Sequence, residues 1–137
     1  MPQSAQSLKD YEDKEFPESD LTREIIACAM EVHSNLGPGL LENIYEQALI
    51  HEFDLRKISY ENQKEVIISY KDKCVGSHRL DLIVDDKVIL ELKAVNELHK
   101  VFEAQIISYL KATGIKIGLL INFNVNKLKD GIKRFIV

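Results

Sequence analysis

The pattern of apolar residues predicts an α/β fold of the mixed α+β kind, with a central mixed β-sheet flanked by helices. Three observations carry this. The chain opens with two stretches whose apolar residues recur at helical spacing, follows with three runs of strand character, and then shows another helical stretch and another buried run. A length of 137 residues suits one domain with a sizeable core. An apolar share of 45% and a charged share of 29% are ordinary for a globular chain, and no apolar run approaches the length of a membrane span.

The elements follow in order. Residues 1–19 are polar, acidic and aperiodic, which predicts a flexible acidic tail ahead of a single domain over 20–137. Ser19 or Asp20 can cap a first helix starting near Leu21. Ile25, Ala29, Val32 and Leu36 keep its period, and Gly37-Pro38 stops it. Gly39 is expected to open a second helix, with an apolar stripe through Leu41, Ile44, Tyr45, Ala48, Leu49 and Phe53 and an end near Leu55 to Lys57. The period then changes to two: Val66, Ile68 and Tyr70 share one face, and Lys71-Asp72-Lys73 reads as a turn. Cys74 to Val84 is the next strand, with Gly76 as a candidate bulge, and Lys87 to Val95 is the most apolar one. Leu98 to Ala112 reads as a helix ended by Gly114, and Ile115 to Phe123 as a buried strand. Asn124 to Asp130 is a loop or short helix, and Ile132 to Val137 an edge strand.

Charge inside the two most apolar strands is the main clue to chemistry. Leu80-Asp81-Leu82-Ile83-Val84 and Val88-Ile89-Leu90-Glu91-Leu92-Lys93-Ala94-Val95 both read as buried, and buried strands rarely carry charge without a reason. Alternation puts Glu91 and Lys93 on one face. If Asp85-Asp86-Lys87 closes a hairpin with Val84 opposite Val88, Asp81 falls directly opposite Glu91. Two facing carboxylates repel across a ladder, and a divalent cation between them removes that cost. Two carboxylates and a lysine at one spot suit metal-assisted hydrolysis of a phosphodiester.

Two helical segments supply further candidates. Glu42 and Glu46 lie one turn apart on the second helix, and local sequence does not choose which of them faces the sheet. Glu42 also has the plain reading of a first-turn acid favoured by the helix dipole. Gln105 and Tyr109 are four residues apart, hence on one helical face that can return toward the strand bearing Glu91. The plain reading there is a solvent-facing glutamine and a half-buried tyrosine.

The remaining features mostly exclude. Residues 1–20 hold two lysines against six acids, so the net charge of −4 resides there and the body is neutral. Residues 98–137 hold seven Lys/Arg against two acids, which makes the C-terminal third the expected phosphate-facing side. No export signal is present, so a cytoplasmic location without membrane attachment is expected, and Cys28 and Cys74 are expected to be reduced. His33, His51, His78 and His99 show no metal-binding spacing, and His33 is expected to bond the backbone at the Gly-Pro-Gly corner. No phosphate-cradling glycine loop or dinucleotide fingerprint occurs.

These residues together resemble the GxxExxY proteins of the PD-(D/E)XK nuclease superfamily. The resemblance rests on Gly39, Glu42 and Tyr45, on the flanking Val32-His33 and Leu36-Gly37-Pro38-Gly39-Leu40-Leu41-Glu42, and on Gln105-Ile106-Ile107-Ser108-Tyr109-Leu110-Lys111. It covers roughly residues 21 to 137. It implies a restriction-endonuclease-like sheet with the site at the strand ends. Asp81, Glu91, Glu42 and the Leu92 backbone carbonyl would hold Mg²⁺ or Mn²⁺. Lys93, Gln105 and Tyr109 would serve catalysis, with Lys93 an electrostatic aid rather than a general base, because adjacent carboxylates favour a charged ammonium. Leu80 stands where the superfamily's name has proline, and Phe102 where many relatives carry histidine. The function so implied is metal-dependent cleavage of nucleic acid, DNA more than RNA, and the small size, neutral body and acidic tail add the expectation of a homodimer or a protein partner. The alternative is a catalytically inactive nuclease-fold module for binding or assembly.

Overall fold

The structure, a computed structural model, describes residues 18–137, so nearly all of the expected acidic tail lies outside the described residues. Among these described residues, three helices and five strands follow in the order α1 (Ser19–Leu36), α2 (Glu42–Arg56), β1 (Tyr60–Tyr70), β2 (Lys73–Val84), β3 (Val88–Lys93), α3 (Lys100–Thr113), β4 (Ile117–Asn122) and β5 (Ile132–Ile136). A 3-10 turn over Leu128–Gly131 precedes the last strand. The strands form one sheet in sequence order. All neighbours are antiparallel except β3 and β4, which are parallel and joined through α3. A parallel pair needs such a crossover. No helix among the described residues is long and apolar enough to cross a membrane.

The element types agree with the sequence reading, and the differences have local causes. The second helix starts at Glu42 rather than Gly39, because Gly37 and Gly39 both take positive φ and the chain bends through 37–40. Strand β1 begins at Tyr60, six residues before Val66, and its first half, Tyr60-Glu61-Asn62-Gln63-Lys64-Glu65, has no apolar alternation to reveal it. The irregularity near Gly76 leaves Val75 as the extra residue, since Ile68 pairs with Gly76 but Ser69 with Cys74. Lys71 and Asp72 both have positive φ, the conformation that a tight hairpin turn requires.

Two apolar layers hold the sheet. On one face α1 and α2 cover Leu82, Val84, Val88, Leu90, Leu92, Leu119 and Ile121 with Ile25, Ala29, Tyr45, Leu49 and Phe53. On the other, α3 packs Ile106, Tyr109 and Leu110 against Val66, Leu80, Ile83, Ile89 and Leu120. Gly118 allows this second contact, because a Cβ there would come within 2.9 Å of Ile106 Cδ1. Alternation along β3 follows: Leu90 and Leu92 belong to the first layer, so Glu91 and Lys93 point to the side of α3.

Candidate active site at a strand fork

Strands β2 and β3 pair only near their turn. The register runs Val84↔Val88, Ile83↔Ile89 and Leu82↔Leu90, as the loop Asp85-Asp86-Lys87 predicts, and then stops. Beyond it the strands part. β2 continues alongside β1, and β3 alongside β4. Asp81 and Glu91 stand at the parting point and replace the ladder with their side chains. The Asp81 N–H donates to Glu91 Oε2 at 3.1 Å, and the Leu92 N–H donates to Asp81 Oδ2 at 2.8 Å. N–H and C=O of one strand residue face the same neighbour, so the Leu92 carbonyl also points into the fork.

The fork is electrostatically costly. Burial pushes the Glu91 carboxyl up to about 8, and the charge of Asp81 adds to this. Asp81 is raised too, by burial first, against the lowering effect of its Leu92 N–H bond. Glu42 is raised by burial and then by Asp81. Lys93 lies nearby on the same side, with Nζ 4.3 Å from the centre of the Phe102 ring. Among the described residues Lys93 makes no ion pair within 4.0 Å, so the acids have no close cationic partner in it. Phe102 therefore has a definite role that sequence reading did not assign: its face receives the ammonium.

Both glutamates of α2 reach the site, from a helix whose start is fixed by Tyr45. The Tyr45 hydroxyl donates to the Gly37 carbonyl at 2.6 Å and accepts from the Leu40 N–H at 3.1 Å. Its ring is fully buried and stacks on Phe123, with centroids 4.6 Å apart. This pins the Gly37-Pro38-Gly39 corner, and so places Glu42 in the first turn. His33, expected at that corner, instead bonds the Val125 carbonyl through Nε2 at 2.8 Å. Glu46 is the more buried glutamate, 7% exposed, and its Oε2 accepts from the side-chain amides of Asn62 and Gln63. Its charge also raises Asp81.

Sequence reading missed this amide pair. Asn62 and Gln63 sit in the polar half of β1, and Asn62 also donates to the Asp81 carbonyl at 3.2 Å. Gln63 has φ of 56°, a left-handed conformation that costs on the order of 1 kcal/mol for a residue other than glycine. Its flanking residues pair with Leu82 and Leu80, which puts Gln63 opposite Asp81. The only signal in the sequence was two adjacent amides where strand alternation should have continued.

On α3, Tyr109 is buried, and its hydroxyl is raised by burial and then by the charges of Glu91 and Asp81. Gln105 is partly exposed one turn earlier and, with Tyr109, lines a cavity of about 310 Å³. The structure thus gathers Asp81, Glu91 and Leu92 at the fork, sets Lys93, Glu42 and Glu46 around it, and places Tyr109 behind it. Carboxylates with a backbone carbonyl form an all-oxygen set, the donor chemistry of a hard divalent cation. Among the described residues, no three of the acids stand together as a ready ligand group. Asp81 and Glu91 each accept a backbone N–H with one oxygen, and the Asp81 carboxyl is also lowered by a hydrogen bond from the Gln63 side chain.

The model of one protein family, the PD-(D/E)XK nuclease superfamily, matches residues 19–135 of this chain. No curated protein and no solved structure matches it.

Proposed function

The chain belongs to the PD-(D/E)XK nuclease superfamily, and on that premise we propose that it hydrolyses phosphodiester bonds of DNA or RNA with Mg²⁺ or Mn²⁺ at the β2–β3 fork. Within the superfamily we assign it to the GxxExxY proteins, on Gly39, Glu42 and Tyr45. One observation carries the functional reading: the buried Glu91 and the half-buried Asp81 meet where the sheet opens, both carboxyls raised, with no cation in salt-bridge contact among the described residues. Apolar residues would fit the position at lower cost, so the acids are there for a ligand.

Asp81, Glu91 and the Leu92 carbonyl would hold the cation, and Glu42 would close on it from α2. A bound divalent ion supplies a water of lowered pKa and stabilises charge on the reacting phosphate. Glu46 is committed to Asn62 and Gln63, which suits it to holding α2 and β1 in register beneath the site. Lys93, steadied on Phe102, would orient the attacking water and offset negative charge on the phosphate oxygens. Gln105 and Tyr109 would position the phosphate from α3.

A second reading, a nuclease-fold binding module without activity, has one observation in its favour. The fork carboxylates already satisfy backbone N–H groups, and no ready three-acid cluster exists among the described residues. Cleavage assays separate the two. Labelled single- and double-stranded DNA and RNA would be incubated with Mg²⁺ or Mn²⁺ and the wild-type protein, Asp81→Asn or Lys93→Ala. Cleavage by wild type that both variants lose supports the nuclease. Equal cleavage by all three refutes the assignment of the site, and no cleavage of any substrate supports the module.

A further inference from the structure

The cavity lined by Gln105 and Tyr109 extends away from the fork, between the outer face of α3 and the β1–β2 arm. Its walls include Ile68 of β1, His78 of β2, and Val101 and Ser108 of α3. We propose that this groove binds one unpaired nucleobase of the substrate, next to the phosphate held at the fork, and so selects single-stranded or locally opened nucleic acid. The proposal rests on the nuclease reading and adds the form of the substrate to it.

Four observations support it. First, the groove adjoins the site through α3: Tyr109 belongs to its wall, packs in the same apolar layer as Leu80 and Ile89 of the fork strands, and feels the charges of Glu91 and Asp81. Second, its chemistry suits a base. The exposed His78 ring leans on Tyr109 with centroids 5.4 Å apart and planes inclined by 57°, so that each ring offers its own face to a base, and Ile68 and Val101 add apolar contact. The Gln105 amide and Ser108 hydroxyl offer donors and acceptors to a base edge. Third, about 310 Å³ is the low end of small-ligand sites, room for one planar ring system and too little for a duplex. Fourth, the groove-facing side of α3 has a lysine near each end. Lys100 lies four residues before Ala104 and Lys111 three after Ser108, so both share that helical side, and both are exposed. Phosphates flanking the base would meet them.

Gly76 lies beside the groove, next to its lining residue Ile68. It lies two residues from His78, and thus on the same face, and pairs with Ile68. A Cβ at Gly76 would meet nothing within 4 Å, so space remains open above it. This provides a variant that fills the groove without disturbing the core.

The test is binding of fluorescein-labelled oligonucleotides, read by anisotropy in EDTA at low salt. Wild type, Gly76→Ile and Ser108→Tyr would be compared on single-stranded DNA, single-stranded RNA of the same sequence and the matching duplex. Both variants should weaken binding of a single strand about 10-fold, as expected for the loss of one stacked base, and leave duplex binding and melting temperature unchanged. An abasic nucleotide at one position of the strand should cost wild type a similar factor, and cost Gly76→Ile nothing more. Single-strand binding equal in wild type and both variants overturns the proposal. So does a dimeric wild type that Gly76→Ile makes monomeric with strand binding intact, which would make the groove an interface between copies. Groove-dependent binding without cleavage under Mg²⁺ or Mn²⁺ upholds the groove and defeats the nuclease reading. Cleavage by a wild type whose binding ignores both variants does the reverse.

Discussion

The β2–β3 hairpin has two ends made by opposite means. At the turn end, Val84, Ile83, Val88 and Ile89 are buried, the register is regular, and both apolar layers press on the strands. At the open end, one residue past Leu82 and Leu90, the ladder gives way to two carboxylates that take each other's strand N–H groups. The first end is favoured by burial and pairing. The second keeps its hydrogen bonds but buries acids side by side, and Glu91 is raised to about 8 by its burial first and by the charge of Asp81 second. The same two strands therefore hold a stable anchor and a costly pair of acids a few residues apart. Rigidity from the anchor holds the two acids together, and in the proposed reading that pair would attract a divalent cation.

Substitutions at the two ends should separate stability from activity. Asp81→Asn keeps an acceptor for the Leu92 N–H and removes the charge. We expect cleavage to fall on the order of 10³-fold, as several kcal/mol of transition-state stabilisation are lost, with little change in melting temperature. Ile89→Ala at the closed end should do the converse, costing about 2–5 kcal/mol in denaturant melts and leaving the rate per folded molecule near wild type. Equal damage to both properties by both variants would erase the contrast.

The next effect is the pH dependence of the metal-free protein. Glu91 has a folded pKa of about 8 against an unfolded value of 4.5, so between these the folded state holds the extra proton. Its stabilising contribution is fully present below pH 4.5 and is lost as pH rises through 8. Chemical denaturation in EDTA should show stability declining across this window, by at most about 1.4 kcal/mol per pH unit, and Glu91→Gln should flatten the decline. A stability that rises with pH there, in wild type but not in Glu91→Gln, would mean that the fork is not a repulsive acid pair.

The smallest effect concerns the lysine. Phe102→Leu keeps apolar bulk in α3 but removes the ring under Lys93, an interaction of about 0.5–2 kcal/mol. Steady-state kinetics should show a loss of a few-fold in kcat with KM nearly unchanged. An unchanged kcat would leave Lys93 without need of its aromatic support.

Parts of this were legible in the chain because they depend on local pattern. Two apolar runs and a three-residue loop set the register, and a slip by one residue would turn every buried side chain outward, so Val84 opposite Val88 followed directly. Helical spacing gave the three helices of the described residues, and glycines marked the ends of the first and the third. What did not follow depends on tertiary contact. Glu42 and Glu46 look alike on a helix, and only the amides of Asn62 and Gln63, brought in from β1, make Glu46 the buried one. Gln63 adopts left-handed backbone because the strand around it is held by β2, which no propensity reveals. Phe102 stood where the resemblance had histidine, and its use became visible only once β3 and α3 lay side by side.

The most direct test of the fork is its affinity for a divalent ion. Melting temperature would be followed during titration with Mn²⁺ or Mg²⁺, for wild type and for the Asp81→Asn, Glu91→Gln double variant. At a concentration about 100 times the dissociation constant, binding to the native state should add about 2.7 kcal/mol and raise the melting temperature of wild type by several degrees. The double variant should show no such rise. An equal response in both proteins, or none in wild type, would contradict a cation site at Asp81 and Glu91.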